Sequence, residues 1–234
     1  MKKVLFIYDD VWHPAEVIDR GLQTFGEELM GYEFDMVMTA KDILTPEMLK
    51  EYPLIVCCKG NAINAANSAP WFEEGVTEVM PKDFRKYVEE GGSFLAVHAA
   101  NTFTKAGCPE MADLLGGSFV THPPRCAVTV YPVSEHPIVR DLDAFTQRDE
   151  HYQLDLASDI LKADQVEAPY GDKETSVFLK SYSVTGGTQI AGWTRKIGKG
   201  RLCCITPGHT LGVWSDPEFQ KLFLNSMAWC LKEI

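Results

Sequence analysis

The segment Ser93–Val97 constrains the fold of this chain more than any other part of the sequence. It follows Gly91-Gly92, is apolar apart from its first residue, and runs directly into His98. A short apolar run with such boundaries is typical of a buried parallel strand. Such a strand would carry His98 to the carboxyl edge of an open α/β sheet, where ligands collect. An imidazole there can act as a base, a metal ligand or a substrate contact.

Strand-like and helix-like segments alternate through the first hundred residues. The predicted strands are Val4–Tyr8, Glu33–Met38, Leu54–Cys58 and Ser93–Val97. The predicted helices run from Pro14 to about Met30, start at Pro46 behind the capping residue Thr45, and span Pro81–Glu90. This alternation predicts an α/β fold with a doubly wound, mostly parallel sheet, right-handed crossovers and helices on both faces.

The pattern is looser after residue 100, although the whole chain, 1–234, is expected to form a single α/β domain. The expected strands are Ala127–Val133, antiparallel at an edge, then Asp159–Val166, Ser176–Leu179, and a hairpin of Gln189–Thr194 with Arg201–Ile205. The expected helices are Pro109–Leu115 and a final helix capped by Asp216-Pro217-Glu218. The long connection Asn61–Met80 is interpreted either as a lid at the rim of a cleft or as a packed surface excursion.

Composition excludes several kinds of partner. The chain has 234 residues and a formal net charge of -11, with no run of Lys or Arg, so a nucleic-acid partner is not expected. No apolar stretch approaches the roughly 18 residues that a membrane span needs, and Met1-Lys2-Lys3 runs into a predicted strand rather than a signal peptide. The seven cysteines are interpreted as free, mostly buried thiols in a reducing cytoplasm. A homo-oligomer is compatible with this composition.

Three histidines, His13, His98 and His209, come just after predicted strands. If those strands end at one edge, the imidazoles would gather around a cleft together with Glu150, from the cluster Asp149-Glu150-His151-Tyr152. His98, Glu150 and His209 would then form a two-histidine, one-carboxylate set suited to zinc or another non-redox divalent metal. The same set could instead perform general acid–base catalysis. A further interpretation, in which each imidazole only hydrogen-bonds nearby backbone, also stays open.

Other site chemistries receive less support. A nucleophile elbow would have Ser or Cys at the strand–turn position, where this chain has His98. Cys108 lies at a predicted helix start, where a thiolate is favoured, and is a minor alternative. No G-x-G-x-x-G or G-x-x-x-x-G-K-[ST] motif occurs, so no nucleotide cofactor is expected. Tyr152, Trp193 and Trp214 could stack on a sugar ring, with core packing favoured for Trp193.

A series of motifs occurs in order between about residues 90 and 230. They are Gly91-Gly92-Ser93-Phe94-Leu95-Ala96-Val97-His98-Ala99-Ala100; Leu114-Leu115-Gly116-Gly117-Ser118-Phe119 with His122; His136-Pro137-Ile138 with Asp149-Glu150-His151-Tyr152; Gly200-Arg201 with Pro207-Gly208-His209; and Trp214, Pro217-Glu218-Phe219 and Trp229. Through these motifs the chain resembles the trehalose-utilisation (ThuA-like) family, which has the flavodoxin-like fold of the class I glutamine amidotransferases.

The resemblance implies a carbohydrate-related role, on a disaccharide or an oxidised keto-sugar. It also implies that the Cys-His-Glu triad of the amidotransferases is absent. The site that it implies has a core and a margin: His98, Glu150 and His209 at the core, and His13 and His122 at the margin. His151 and the Asn61–Met80 segment depart from the family pattern, which leaves the substrate open.

The expected function is that of a cytoplasmic sugar hydrolase or isomerase, which would use His98, Glu150 and His209 with or without a divalent metal such as zinc. Tyr152 and Trp214 would contact the sugar together with the two marginal histidines. The second expectation is a non-catalytic sugar-binding or regulatory module. The third is a thiol hydrolase or amidotransferase that uses Cys108.

Overall fold

The computed structural model describes residues 1–39, 43–60, 63–165 and 173–234. The strands in these ranges are β1 (Lys2–Ile7), β2 (Tyr32–Val37), β3 (Leu54–Cys57), β4 (Ser93–Val97), β5 (Gly117–Thr121), β6 (Cys126–Pro132), β7 (Phe145–Asp149), β8 (Gln153–Leu156), β9 (Thr175–Ser183), β10 (Gly187–Ile197) and β11 (Gly200–Ile205). The α-helices are α1 (Ala15–Leu22), α2 (Pro46–Leu49), α3 (Pro81–Glu90), α4 (Pro109–Leu115), α5 (Ser158–Asp164), α6 (Leu211–Trp214) and α7 (Pro217–Cys230).

The central sheet has the strand order β2-β1-β3-β4-β11-β10-β9-β6-β7. Strands β2, β1, β3, β4 and β11 run parallel to one another. The remaining strands extend the sheet on one side in antiparallel pairs. Strands β5 and β8 form a separate antiparallel pair. The predicted α/β fold is confirmed, and the parallel strands are the ones whose carboxyl ends hold the candidate site.

Both faces of the sheet are buried at its central parallel strands, β1, β3, β4 and β11. Along β1, Val4 and Phe6 belong to one hydrophobic cluster, while Leu5 and Ile7 belong to the other. Helices α1 and α7 cover the first face, and α3, α4 and α5 cover the second. Burial on both faces explains why β1, β3, β4 and β11 are mostly continuous apolar runs, whereas the edge strand β2 alternates polar and apolar residues.

The predicted helix boundaries are confirmed where capping chemistry is clear. Thr45 accepts a hydrogen bond from the Met48 backbone N–H at the start of α2. Asp216 does the same for Glu218 at the start of α7. Helix α3 ends at Gly91, whose φ of 123° is a conformation that residues with a side chain rarely adopt.

The helix predicted from Pro14 to about Met30 is wrong at its C-terminal end. Helix α1 ends at Leu22, and a separate 3₁₀ turn follows at Glu27–Leu29. Gly26 separates the two, because its φ of -84° and ψ of -138° lie outside the helical region.

The strand predicted for Asp159–Val166 is also wrong. Its residues 159–164 belong to α5, Gln165 caps that helix, and Val166 lies outside the described part of the chain. Ala157, Ile160 and Ala163 recur at every third position and pack into the same hydrophobic cluster. This spacing suits one face of a helix, not the alternation of a strand.

Strand β6 covers the predicted strand Ala127–Val133 and is antiparallel, as expected. It does not lie at an edge, because it pairs with β9 on one side and with β7 on the other. The other predicted strands after residue 170 are confirmed, including the β10–β11 hairpin.

The connection Asn61–Met80 packs onto the domain over its described residues, which begin at 63. Trp71 is buried and stacks on Phe72, with 4.4 Å between the ring centroids. Val11, in the loop after β1, donates its backbone N–H to the carbonyl oxygen of Ile63. These contacts favour a packed excursion that braces the loop after β1.

The seven cysteines are free, and six of them are buried. Neighbouring cysteines such as Cys203 and Cys204 belong to different faces of the sheet, as the alternation along a strand requires. Within the described ranges, no helix combines the length and apolar character that crossing a bilayer requires.

Candidate metal centre

Three neighbouring regions of the sheet edge each supply one imidazole. His98 follows β4 directly, and His209 follows the adjacent parallel strand β11 through a short turn. His13 lies in the loop after β1. The ring atoms His98 Nε2 and His209 Nδ1 are 3.2 Å apart. The parallel arrangement therefore brings residues more than a hundred positions apart into one cluster.

His98 is held in a conformation that few side-chain-bearing residues adopt. Its φ is 41°, in the left-handed region, and its side chain is buried. Nδ1 lies 2.7 Å from the carbonyl oxygen of Thr206, which can only accept a hydrogen bond. The proton is therefore on Nδ1, and the Nε2 lone pair faces the cluster.

Gly208 allows this close packing. Its φ is 140°, and a Cβ atom there would lie 3.1 Å from Cβ of His98. Any larger residue would have to move the His98 backbone or side chain. Glycine is therefore favoured at position 208 for two reasons, its positive φ and the lack of space for a side chain beside His98.

His13 is oriented by a buried carboxylate. Its Nδ1 lies 2.8 Å from Oδ1 of Asp10, which also accepts the backbone N–H groups of Trp12 and His13. The other oxygen of Asp10 accepts the Gly60 N–H. Burial alone would raise the pKa of Asp10, but these hydrogen bonds and the charge of His13 lower it overall. Burial lowers the pKa of His13.

Glu150 supplies the carboxylate of the cluster. Its Oε2 lies 3.5 Å from His98 Nε2, 3.3 Å from His209 Nδ1 and 3.9 Å from His13 Nε2. Burial alone would raise the pKa of Glu150, but the hydrogen bonds and charges of His209 and His98 hold it well below its usual value. Burial lowers the pKa of His98, but the hydrogen bond and negative charge of Glu150 raise it, and the net effect is a raised pKa.

The neighbouring Asp149 fixes the backbone rather than the cluster. Its carboxylate is buried and accepts the backbone N–H groups of Gly208, at 2.9 Å, and of His209, at 3.0 Å. This ties the end of β7, and with it Glu150, to the turn after β11. Burial raises the pKa of Asp149 despite these bonds.

Tyr152 lies against the same imidazoles. Its hydroxyl is 2.8 Å from His98 Nε2 and 3.1 Å from His13 Nε2, and its ring stacks on His98. Burial raises the pKa of the Tyr152 phenol well above its usual value, so the hydroxyl keeps its proton and can donate a hydrogen bond.

The cluster fits a divalent metal ion. One ligand atom each from His13, His98, Glu150 and His209 lie within 4.8 Å of one another. A tetrahedral site with bonds of about 2.1 Å has ligand–ligand edges of roughly 3.4 Å, close to several of the separations above. Hydrogen-bond acceptors on the outer nitrogens of His13 and His98 match the arrangement common around zinc-bound histidines. Three nitrogens and one oxygen suit zinc and similar divalent ions.

A cavity of about 680 Å³ opens beside the cluster. Its lining residues are Trp12, His13, Thr102, Thr104, Gly107, Phe119, His122, Arg125, Glu150, Tyr152 and His209. His122 lies at its margin, with Nε2 3.7 Å from Oε2 of Glu150. The volume is typical of a site for a small organic molecule.

The expected place of Trp214 beside a substrate needs correction. Trp214 is fully buried, and its indole N–H donates to the carbonyl oxygen of Gly208. This hydrogen bond supports the turn before His209, and Trp214 does not line the 680 Å³ cavity. Trp193 is likewise buried, as expected from core packing.

Two other residues of interest in the sequence lie outside the cluster. Cys108 is buried and does not line the cavity, and burial raises the pKa of its thiol, which disfavours a thiolate. His151 is buried between the hydroxyls of Ser181 and Ser183, at 2.9 and 2.7 Å. Neither residue contributes an atom to the candidate metal centre.

The family resemblance implies a marginal position for His13, but its ring lies within the cluster, as the convergence of strand ends predicts. Asp10 and Arg125 are absent from the predicted site. The Asp-x-x-His spacing of Asp10 and His13, directly after a strand, was the available signal for the carboxylate–histidine pair. Arg125 had no such local signal, because its position depends on the pairing of β6 with β7.

These features define an α/β protein with a histidine-rich site and an adjoining cavity at the carboxyl edge of its parallel strands. The trehalose-utilisation family, ThuA, matches residues 3–230, and the chain therefore belongs to that family. Among proteins with curated descriptions, none is similar enough in sequence to count as a match.

Solved structures with the same fold share little sequence with this chain. A ThuA-like protein from Bacteroides uniformis is 21% identical, with a TM-score of 0.69 and coverage of 98% of this chain and 91% of that one. A ThuA-like protein from Parabacteroides merdae is 17% identical, with a TM-score of 0.70 and coverage of 99% and 90%. A protein from Salmonella typhimurium described as cytoplasmic, STM3548, is 13% identical, with a TM-score of 0.62 and coverage of 98% and 99%.

Proposed function

We propose that this protein is an enzyme of carbohydrate metabolism that binds a divalent metal, such as zinc, through His13, His98, Glu150 and His209. The observation that carries the proposal is the convergence of four ligand atoms, two of them on imidazoles whose outer nitrogens are hydrogen-bonded to acceptors. Structural hydrogen bonding alone would not require three imidazoles and a carboxylate to face one point.

The substrate class in this proposal is a disaccharide or an oxidised keto-sugar derivative. Membership of the trehalose-utilisation family supports a sugar ligand. The cavity of about 680 Å³ is large enough for one or two sugar rings and has Tyr152 and the metal ligands in its wall. The reaction is hydrolysis or isomerisation by acid–base chemistry, and no nucleotide cofactor takes part.

The chain's own residues prepare the site for this chemistry. Nδ1 of His13 donates to Asp10, and Nδ1 of His98 donates to the Thr206 carbonyl, so in the neutral rings the lone pairs of both Nε2 atoms face the cluster. Tyr152 keeps its hydroxyl proton and points it at the cluster, where it can donate to a sugar oxygen. A divalent ion held by these residues, with one coordination position open to the substrate, would supply Lewis-acid polarisation of such an oxygen.

A second candidate is acid–base catalysis without a metal. It is favoured by the contact of 2.8 Å between the Tyr152 hydroxyl and His98 Nε2, a separation over which a proton can pass. In this version Glu150 stabilises protonated His98, in agreement with the raised pKa of that imidazole.

The buried free cysteines support a reducing compartment, and a cytoplasmic location is part of the proposal. The description of one structural relative as cytoplasmic agrees with this.

Metal analysis of the purified protein tests the proposal most directly. After exposure to zinc, manganese or magnesium and removal of free ions, the wild-type chain should retain about one ion. His98→Ala should retain none, whereas His122→Asn, a histidine change at the cavity margin outside the four-ligand set, should retain it. Turnover of disaccharides and keto-disaccharides should be lost together with the metal in His98→Ala, whereas His122→Asn serves as a control for metal content alone.

The outcomes separate the candidates. A wild-type protein without bound metal, but with turnover that His98→Ala abolishes, would favour the metal-free mechanism. Turnover unchanged in His98→Ala would remove both enzyme mechanisms. Thermal stabilisation by sugars with no turnover of any substrate would favour a non-catalytic sugar-binding module.

A further inference from the structure

Trp12 is an exposed tryptophan in the wall of the cavity. Its side chain is 72% exposed, although indoles are usually well buried. The loop that carries it is ordered by Asp10, whose carboxylate accepts the Trp12 backbone N–H at 2.9 Å. An exposed indole on an ordered loop offers a flat apolar surface to the C–H face of a sugar ring.

Arg125 is a cation in the same wall. Within the described ranges its guanidinium has no hydrogen-bond or ion-pair partner, and its side chain is exposed. It follows Pro123-Pro124, whose fixed φ angles restrict the backbone before it. Its five N–H donors are therefore available to a molecule in the cavity.

The pairing of β6 with β7 explains how Arg125 stays available. Cys126 lies opposite Asp149 in this antiparallel pair. Arg125 immediately precedes β6 and Glu150 immediately follows β7, so the two residues are neighbours at the same end of the pair. Glu150 would be the natural carboxylate partner for Arg125, but its Oε2 faces the imidazoles instead. Because the Glu150 carboxylate contacts the imidazoles of the cluster, it does not pair with the Arg125 guanidinium.

The charges lining the cavity differ from the charge of the whole chain, which is -11. Apart from histidines, the lining residues contain one carboxylate, Glu150, and one permanent cation, Arg125. A divalent ion at the four-ligand cluster would make this local charge positive. A local positive field in an acidic protein favours an anionic ligand at this position.

We propose that the cavity selects sugars that carry one anionic group, a carboxylate or a phosphate, with the ring on Trp12 and the anion on Arg125. The inference deepens the proposed function and rests on it for the choice of a sugar as ligand. Guanidinium groups pair with carboxylate and phosphate oxygens through two parallel hydrogen bonds, which gives geometric selectivity as well as affinity.

Calorimetric titration of the whole protein with matched sugars tests this selectivity. The probes are methyl glucoside, the methyl glycoside of glucuronic acid, glucose 6-phosphate and inorganic phosphate, each with chelator-treated and with metal-loaded protein. The variants are Arg125→Gln, Trp12→Ala and the control Arg148→Gln. Arg148 is an exposed arginine on β7 that does not line the cavity.

At least one of the two anionic sugars should bind about tenfold more tightly than methyl glucoside, and Arg125→Gln should abolish that preference. Arg148→Gln should retain it, and Trp12→Ala should weaken all of the sugars together. The two anionic sugars distinguish a carboxylate from a phosphate ligand. Phosphate binding as tightly as glucose 6-phosphate would overturn the sugar part of the proposal.

Equal binding of neutral and anionic sugars, no binding of any sugar, or a preference that survives Arg125→Gln would overturn the inference. These measurements do not depend on turnover. An Arg125-dependent preference in a protein that never retains metal would uphold the inference while the proposed metal enzyme fails. Metal-dependent turnover without that preference would do the reverse.

Discussion

The carboxylate of Asp10 accepts a hydrogen bond from Nδ1 of His13 at 2.8 Å, and the opposite nitrogen of the same ring faces the other imidazoles. Asp10 also accepts three backbone N–H groups, so the pair is fixed to the loop after β1 and to Gly60 after β3. The orientation of His13 is therefore set by the backbone of two neighbouring strand ends.

Replacing Asp10 by Asn should weaken metal binding without removing a ligand. The change removes the negative charge behind His13 and places an amide donor where an oxygen now accepts, so we expect a loss of about 10- to 100-fold in metal affinity. Competition with a coloured chelator measures it. Asp35→Asn is the control, because Asp35 accepts a hydrogen bond from the Tyr52 hydroxyl and is not part of the four-ligand cluster. Equal affinity of Asp10→Asn and wild type would contradict the role given to Asp10.

Gly208→Ala should disturb the cluster, whereas Gly187→Ala should not. Both glycines have positive φ, so each change costs about 1–3 kcal/mol of backbone strain. Only at Gly208 would the new Cβ meet His98, at 3.1 Å, while nothing lies within 4 Å at Gly187. Unfolding by urea should show a loss of stability in both proteins, and metal titration a loss of affinity in Gly208→Ala alone. A similar loss of affinity in both would mean that general strain, not the contact with His98, is responsible.

Tyr152→Phe should separate metal binding from catalysis. The ring that stacks on His98 remains, but the hydroxyl that lies 2.8 Å from His98 Nε2 is lost. Metal content should be unchanged, and turnover should fall by about 10²- to 10⁴-fold, the range expected for loss of a proton donor. Tyr182→Phe, at a half-exposed position of β9, controls for loss of a phenol elsewhere. Full turnover in Tyr152→Phe would exclude the hydroxyl from the chemistry.

His136 should make the protein sensitive to acid. Burial lowers the pKa of His136 to about 3, whereas an unfolded histidine has a pKa of about 6.5. Between these values the unfolded chain binds a proton that the folded chain does not, so stability rises with pH across this window and falls on acidification. Urea unfolding at pH 5 and pH 7 measures the difference.

His136→Asn should reduce this sensitivity to acid. Asn can replace the ring nitrogen that accepts the Ile138 backbone N–H, but it does not titrate. The variant should lose about 1–3 kcal/mol at pH 7, because the ring contacts with Phe178 and Trp229 are gone. It should lose less than wild type between pH 7 and pH 5, and an unchanged difference would mean that other groups cause the acid sensitivity.

The parts of the fold that sequence predicts well are those with local causes. The apolar run before His98, the caps Thr45 and Asp216 and the hairpin of β10 with β11 each follow from neighbouring residues. The segment around Ile160 is helical, although its sequence predicts a strand. Its contacts with the second face of the sheet show that the apolar residues follow a helical period rather than the alternation of a strand.

The sequence predicts only those residues of the candidate site that directly follow a recognisable strand. His98 and His209 follow apolar runs that must lie side by side, but nothing local distinguishes a tryptophan beneath a turn, such as Trp214, from one in a cavity wall. Trp12 and Arg125 come together through the loop after β1 and the pairing of β6 with β7, which are separated by more than a hundred residues. Such long-range proximity has no signature in a single sequence.

The four candidate ligand atoms come from loops that follow the first strand, the fourth, the seventh and the last. During synthesis the chain therefore cannot assemble this centre until β11 has joined β4, close to the end of translation. An ion bound there would link residue 13 to residue 209, so its loss would loosen the two ends of the chain together rather than one loop at a time.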